Sequence, residues 1–290
     1  MFDEGAYIFS DLNLSRRLER AEAQGNVDFV EARAAVEPES GACWTEVAGC
    51  YAMFDRVESP LTQTFGLGLF ETAAAGEFER LEEFFLQRGS PVYHEVSPLA
   101  DPTTFPLLNE RGYEPFEFTS VMFRPVGTGA AVRHDSGVSV RVVGPDEHEL
   151  WAQTAARGWR SEFEGIGDFI LGLSRVSAQR ANGFSFLAEL DGRAVATGAL
   201  SIWEGVALLA GASTVPEARR RGAQLALLDA RLACAAARGC DLAMMCAHPG
   251  SASQRNAERQ GFRIAYTRIK WRLLPTVPID VVDDARVVVC

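Results

Sequence analysis

"STVPEARRRGAQLALLDARL", residues 213–232, places Arg219, Arg220 and Arg221 directly before Gly222. An apolar helical pattern follows at once. Leu225, Leu228, Leu232 and Ala235 share one face of a helix expected from about Arg221 to Arg238. The stretch reads as strand, turn, helix, with positive charge gathered at the turn. The first amides of a helix lack internal acceptors, carry the positive end of its dipole and attract anions. A glycine there lets a phosphate-bearing ligand come close to the backbone. The same arginines would also serve as plain solvated charges on an exposed loop.

The rest of the chain sharpens the contrast. It has 290 residues, a formal net charge of -11, 47% hydrophobic and 23% charged residues, the profile of a globular protein with a real core. Residues 1–126 hold 9 Arg and 22 acids, a net of -13, whereas residues 127–290 hold 19 basic residues and 17 acids, a net of +2. An anionic ligand therefore belongs to the second half. Nucleic acid is a poor fit, because there is no extended basic face and Lys270 is the only lysine. No apolar run is long enough to cross a bilayer, and "MFDEGAYIFSDLN" lacks the order of a signal peptide, so a cytoplasmic location is expected. The six cysteines match no zinc spacing and read as reduced thiols; no metal is expected.

Landmarks recur at an offset of 148 to 150 residues. "FTSVMFR" (118–124) parallels "YTRIKWR" (266–272), "LLNERGY" (107–113) parallels "NAERQGF" (256–262), and Arg88-Gly89 parallels Arg238-Gly239. Three landmarks in one order argue for a fold used twice. "RPVGTGAAVRHDSG" (124–137) has linker composition, which divides the chain into 1–126, a linker 127–137, 138–274, and a tail 275–290. In the second half, "VSVRVV" (138–143) alternates as a strand, and helices are expected from Pro145 to about Arg157 and over 166–181. Residues 184–214 read as three strands turning at Asp191-Gly192 and Glu204-Gly205. After the arginine turn and its helix come a central strand (241–247), a short helix (253–260) and a last strand that completes the unit.

This order of elements, with "TVPEARRRGAQLALL", resembles the GNAT superfamily of acyl-CoA-dependent N-acetyltransferases. The family's pyrophosphate loop reads Gln/Arg-x-x-Gly-x-Gly/Ala. Arg219 fills its first position and Gly222 its fourth, while Gln224 stands where Gly or Ala is usual. "SASQRNAERQGF" (251–262) is similar to the family's later motif. The resemblance implies an α/β (α+β) fold of two tandem domains, each a mixed, mostly antiparallel sheet flanked by helices. It implies that Arg219, Arg220, Arg221, Gly222, Ala223, Gln224 and Leu225 hold the diphosphate of acetyl-CoA, with no metal. Ser213, Thr214 and Val215 would pair with pantetheine amides along one arm of a V between two splayed strands, and Ser253 and Asn256 would touch pantetheine or phosphate.

The first half reads as a degenerate copy. Its counterpart loop, "TFGLGLFETAAAGEFERLEEFF" (64–85), has no Arg-x-x-Gly and carries Glu71, Glu77, Glu79, Glu82 and Glu83 against Arg80. One active site is expected, in the second half.

Many relatives place a Tyr acid four residues before the Gly of the Gly-Phe pair, where this chain has Ala257; Tyr266 is a substitute. Glu162 and Glu164 in "GWRSEFEG" are candidate bases that could also bind a cationic amine beside Trp159. His248 follows the central strand, as a loop cap or a catalytic group. The resulting expectation is transfer of acetyl from acetyl-CoA to the primary amine of a small molecule, by direct attack in a ternary complex. A non-catalytic acyl-CoA-binding or protein-interaction module is the alternative. The chain is expected as a monomer whose domain pair mimics a dimer, or as a homodimer.

Overall fold

Helix α1 (Leu12–Val36) is the first regular element of a computed structural model that describes residues 8–57, 59–127, 137–160 and 167–274. The chain forms two compact units. Of the described residues, one gathers 8–26, 40–123 and 246–274; the other gathers 27–39 and 124–245.

In the first unit, β1 (Cys43–Val47) and β2 (Cys50–Phe54) form a hairpin. It turns on Ala48 and Gly49, whose φ values of 50° and 72° suit a two-residue type I′ loop. Then follow β3 (Gln63–Phe65), α2 (Ala75–Leu86), β4 (Val92–Val96), α3 (Thr104–Glu110) and β5 (Glu114–Pro125). Strands β3 and β4 are parallel, which requires the crossover that α2 supplies. Phe78, Leu81 and Phe85 form the buried stripe of α2. Each such side chain contributes roughly 1.5–3 kcal/mol by leaving water.

The second unit holds β6 (Val138–Val142), α4 (His148–Arg160), α5 (Gly167–Ser177), β7 (Gly183–Leu190), β8 (Arg193–Trp203), β9 (Val206–Thr214), α6 (Ala223–Ala237) and β10 (Leu242–Ala247). Asp191-Gly192 (φ 52° and 72°) and Glu204-Gly205 (42° and 80°) make the two tight turns read from the sequence. The strands lie in the order β10-β9-β8-β7-β6. All neighbours are antiparallel except β9 and β10, which α6 connects in parallel. Trp151 of α4 is buried with Ala152, Leu187 and Ala199, and its indole N–H donates to Phe186 O at 2.9 Å.

Helix α7 (Ala252–Arg259) and strand β11 (Arg263–Leu273) depart from the sequence expectation. The strand read as completing the 138–274 unit packs in the first unit. There β11 lies between β4 and β5, antiparallel to both, in the order β1-β2-β3-β4-β11-β5. Its Trp271 joins the core of Leu81, Phe85 and Val96. Hydrogen bonds on both edges of β11 decide the matter, and pattern alone cannot show which sheet a strand enters. The repeat explains the fit. Thr119 faces Arg268 and Ser120 faces Thr267. An offset of 148 carries 119 to 267 and 120 to 268, so the pairing matches itself under the repeat.

Among the described residues, no helix is long and apolar enough to cross a membrane, no group of three His, Cys, Asp or Glu could hold a metal ion, and the cysteines form no disulfide.

Candidate active site in the second unit

Strands β9 and β10 stay paired for only three residues, Val206 with Leu242, Ala207 with Ala243 and Leu208 with Met244. Beyond Leu208 the edge of β9 parts from its neighbour. On its other side β9 follows β8 through a bulge: Gly211 and Ala212 together oppose Gly198, between the pairs Ala199–Ala210 and Thr197–Ser213. Gly211 takes φ 60°, the left-handed conformation that a bulge of this kind needs.

From Thr214 the chain makes one 3-10 turn (Pro216–Ala218), extends at Arg219 and enters α6 through Arg220 (φ 61°) and Gly222 (φ 84°). Gly222 is the N-cap, and no side chain caps the helix. The amides of Ala223, Gln224 and Leu225 therefore begin the helix without side-chain acceptors. Arg220, Arg221 and Gly222 are exposed, and neither Arg220 nor Arg221 pairs with a carboxylate among the described residues.

The neighbouring side chains hold this loop in shape. Arg219 donates from Nε to Thr214 O at 3.3 Å and from Nη2 to Gly158 O at 3.2 Å, joining the loop to β9 and α4. Gln224 donates from Nε2 to Thr214 Oγ1 at 2.7 Å. That bond turns the side chain of the unusual motif residue back onto β9. Arg157 pairs with Glu217 at 2.7 Å, which balances the one acid of the loop. Val215 is buried, and its N–H donates to Val195 O at 2.9 Å. The Val215 N–H points at β8, so by backbone alternation along the strand the peptide groups of Ser213 point there too and those of Thr214 point to the other edge. The Ser213 hydroxyl lies 3.0 Å from Thr197 Oγ1 and donates to Ala155 O at 3.2 Å. Helix α4 comes close enough that a Cβ on Gly158 would lie 2.6 Å from Ser213 Oγ and 3.0 Å from Thr214 N. No local pattern marks Gly158, so sequence reasoning missed it.

The α6 stripe also differs from expectation. Ala223, Leu227, Arg231 and Ala235 are the buried positions, while Leu225, Leu228 and Leu232 are half-buried. Alanines and leucines surround this helix, so apolar spacing fits more than one face. The visible signal was Arg231 itself, four residues from both Leu227 and Ala235.

The matching region of the first unit is filled by its own side chains. Phe70 packs on Gly49 and Gly66, leaving less room than a Cβ needs at either. Arg20 stacks on the other side of this cluster, with its guanidinium carbon 4.0 Å from the Phe70 ring centre and 4.2 Å from that of Tyr51. Thr104 presses on Gly68. Glu77 accepts from the Ala74 N–H at 3.1 Å, so the start of α2 carries a carboxylate of its own.

The remaining expected residues are dispersed. Ser253 and Asn256 are exposed on α7, in the first unit; Asn256 Oδ1 accepts from Arg259 at 2.9 Å. Ala257 is buried. Tyr266 is buried in the first unit and donates to Glu19 Oε1 at 2.9 Å. Burial, then the nearby Glu19 charge, raises its pKa well above the usual tyrosine value. His248 Nε2 stands 3.9 Å from Glu117 Oε1. Cys246 is buried, and its thiol donates to Glu22 Oε2 at 3.2 Å. Glu162 and Glu164, like most of the linker and the tail 275–290, lie outside the described residues.

Comparison with known proteins bears on the fold. Residues 148–262 match the model of the acetyltransferase (GNAT) family. None of the curated proteins matches the chain in sequence. Among solved structures, the chain is similar to a GCN5-related N-acetyltransferase from Kribbella flavida, at 20% identity and a TM-score of 0.63, over 89% of this chain and 95% of that one. It is also similar to a tandem GNAT protein from the clavulanic acid biosynthesis pathway, at 14% identity and a TM-score of 0.52, over 68% of each chain. A putative GNAT-family acetyltransferase from Novosphingobium aromaticivorans is 18% identical, with a TM-score of 0.51, over 86% of this chain and 97% of that one. The fold is thus that of tandem GNAT proteins.

Proposed function

We propose, for a chain whose residues 148–262 match the model of the acetyltransferase (GNAT) family, that it moves an acetyl group from acetyl-CoA to the primary amine of a small molecule. The reaction is direct attack in a ternary complex, with one working site, in the second unit. One observation carries this reading: a helix start at Gly222 without a side-chain cap, with Arg220 and Arg221 pairing with no carboxylate among the described residues, stands at the end of a strand whose edge has parted from its neighbour.

The residues present suit such a substrate. The diphosphate would sit on the amides of Ala223, Gln224 and Leu225, with Arg220 and Arg221 beside it. Arg219 keeps the loop in place through its two carbonyl acceptors. Pantetheine amides would pair with the open edge of β9, where the peptide groups of Thr214 face away from β8. Ser213 and Val215 then act as the frame of that edge. Ser253 and Asn256 are assigned to the pantetheine or phosphate on the family's later motif alone.

The acceptor amine must lose a proton before it attacks the thioester carbon. Negative charge then builds on the carbonyl oxygen, and the departing thiolate takes up a proton. Glu162 and Glu164 are the first choices for the base. Tyr266 is named as the acid from its place in the sequence alone; its hydroxyl donates to Glu19. Holding both substrates together supplies much of the rate.

A second reading, acyl-CoA binding without turnover, is favoured by Ala257, which offers no acid. Calorimetric titration with acetyl-CoA, followed by thiol release across a panel of primary amines, separates the two. Release with any amine supports the enzyme. Binding without release supports the module, and an absence of binding ends both.

A further inference from the structure

Arg231 is a buried cation with no anion beside it among the described residues. It lies in the third turn of α6, 4% exposed. It donates from Nε to Leu227 O at 3.2 Å and from Nη1 to Ala199 O at 3.3 Å and Ala210 O at 3.4 Å. No carboxylate offsets its charge among the described residues, and burial alone lowers its pKa, to about 10. Burying an ion costs several kcal/mol unless partners compensate, so a lone buried guanidinium held only by carbonyls needs a reason.

Its position suggests one. Ala199 and Ala210 are partners in the β8–β9 ladder, the last regular pair before the bulge at Gly211 and Ala212. Gly198, the residue opposite the bulge, leaves the space the guanidinium uses: a Cβ there would lie 3.1 Å from Arg231 Cζ. One side chain thus holds both strands at the point where β9 changes register. This is the stretch of β9, past Leu208, that β10 no longer covers.

We propose that Arg231 is a positioning residue for acyl transfer: it fixes the β9 bulge from below and adds uncancelled positive charge beneath the stretch that receives the thioester carbonyl. This rests on the reading that the second unit binds acetyl-CoA along β9. A fixed positive charge in a low-dielectric interior favours the negative oxygen of the transition state, at no cost of reorganisation.

The test uses the full chain and acetyl-CoA labelled with carbon-13 at the thioester carbonyl. Isotope-edited infrared spectroscopy reads the bound carbonyl stretch, and calorimetry reads affinity. In the wild type the stretch is expected below that of acetyl-CoA in buffer. R231M should return it at least halfway to the free value, with the dissociation constant changed less than about threefold. An unchanged stretch in R231M, with binding intact, overturns the role of Arg231 and leaves the acetyltransferase reading standing. Absence of binding by the wild type overturns both. Should R231M fail to fold, R231K decides. It keeps the charge but cannot span two strands as the planar guanidinium does, so a stretch between the wild-type and free values supports the role and an unchanged one overturns it.

Discussion

The side-chain amide of Gln224 donates to Thr214 Oγ1 at 2.7 Å, tying the first turn of α6 to the last residue of β9. The residue that departs from the family's loop motif is therefore one that closes the loop. A part-buried bond of this kind contributes about 0.5–1.5 kcal/mol. Q224A and T214V should each destabilise the chain by about that much, and the double variant by less than their sum. Urea unfolding of the four proteins in the cycle checks it; strict additivity would show that the bond does not form in solution.

Charge at the turn should govern affinity for acetyl-CoA. R220S/R221S is expected to weaken binding by about tenfold or more, because each charge-assisted bond to phosphate contributes about 1.5–3 kcal/mol. Affinity should also depend less on salt in this variant. R80S and R88S, in the first unit, should leave binding unchanged. Equal losses from both pairs in calorimetry would refute a single site in the second unit.

Arg219 should behave differently from its two neighbours. Its guanidinium serves Thr214 O and Gly158 O. R219A should therefore lower thermal stability, whereas R220S should not. A melting temperature unchanged in R219A would contradict this division of labour.

Close packing of α4 on β9 makes Gly158 intolerant of a side chain. In G158A the added methyl group meets Ser213 Oγ at 2.6 Å and Thr214 N at 3.0 Å. Overpacking of this sort costs about 1–3 kcal/mol. Chemical denaturation should show that loss, while G239A, where the added Cβ would meet nothing within 4 Å beyond its chain neighbours, should lose less. Residue 239 takes φ 76°, so some backbone strain is expected there as well.

Glu19 should give the first unit a distinct pH dependence. Burial pushes its carboxyl from the ordinary 4.5 up to about 7; Arg268 and the Tyr266 hydrogen bond oppose the rise, and the Glu22 and Glu95 charges add to it. Between pH 4.5 and 7 the folded chain keeps a proton that the unfolded chain has released. The stabilisation from this group is full below about 4.5 and is lost as pH rises through 7. Urea unfolding across that range should show the decline, and E19Q should flatten it. An identical slope in E19Q would assign the dependence to other groups.

Local chemistry wrote much of this protein into its sequence. The Asp191-Gly192 and Glu204-Gly205 turns, the strand-turn-helix at Gly222 and the repeat offset all depend on neighbours within a few residues, or on a pattern that survives in one dimension. The acidic counterpart loop of the first half was equally legible, since charge needs no fold to be counted.

Tertiary structure decided what depends on partners distant in the chain. Strand β11 enters the first unit because its two edges find β4 and β5, and a strand's own residues do not say whose hydrogen bonds they will meet. The buried face of α6 includes Arg231 because Gly198 leaves room for a guanidinium across the sheet, 33 positions earlier in the sequence. Phe70 fills the matching region of the first unit because Gly49 and Gly66 have no side chains to exclude it. Each outcome turns on the space one residue leaves for another, which becomes defined only when the chain has packed.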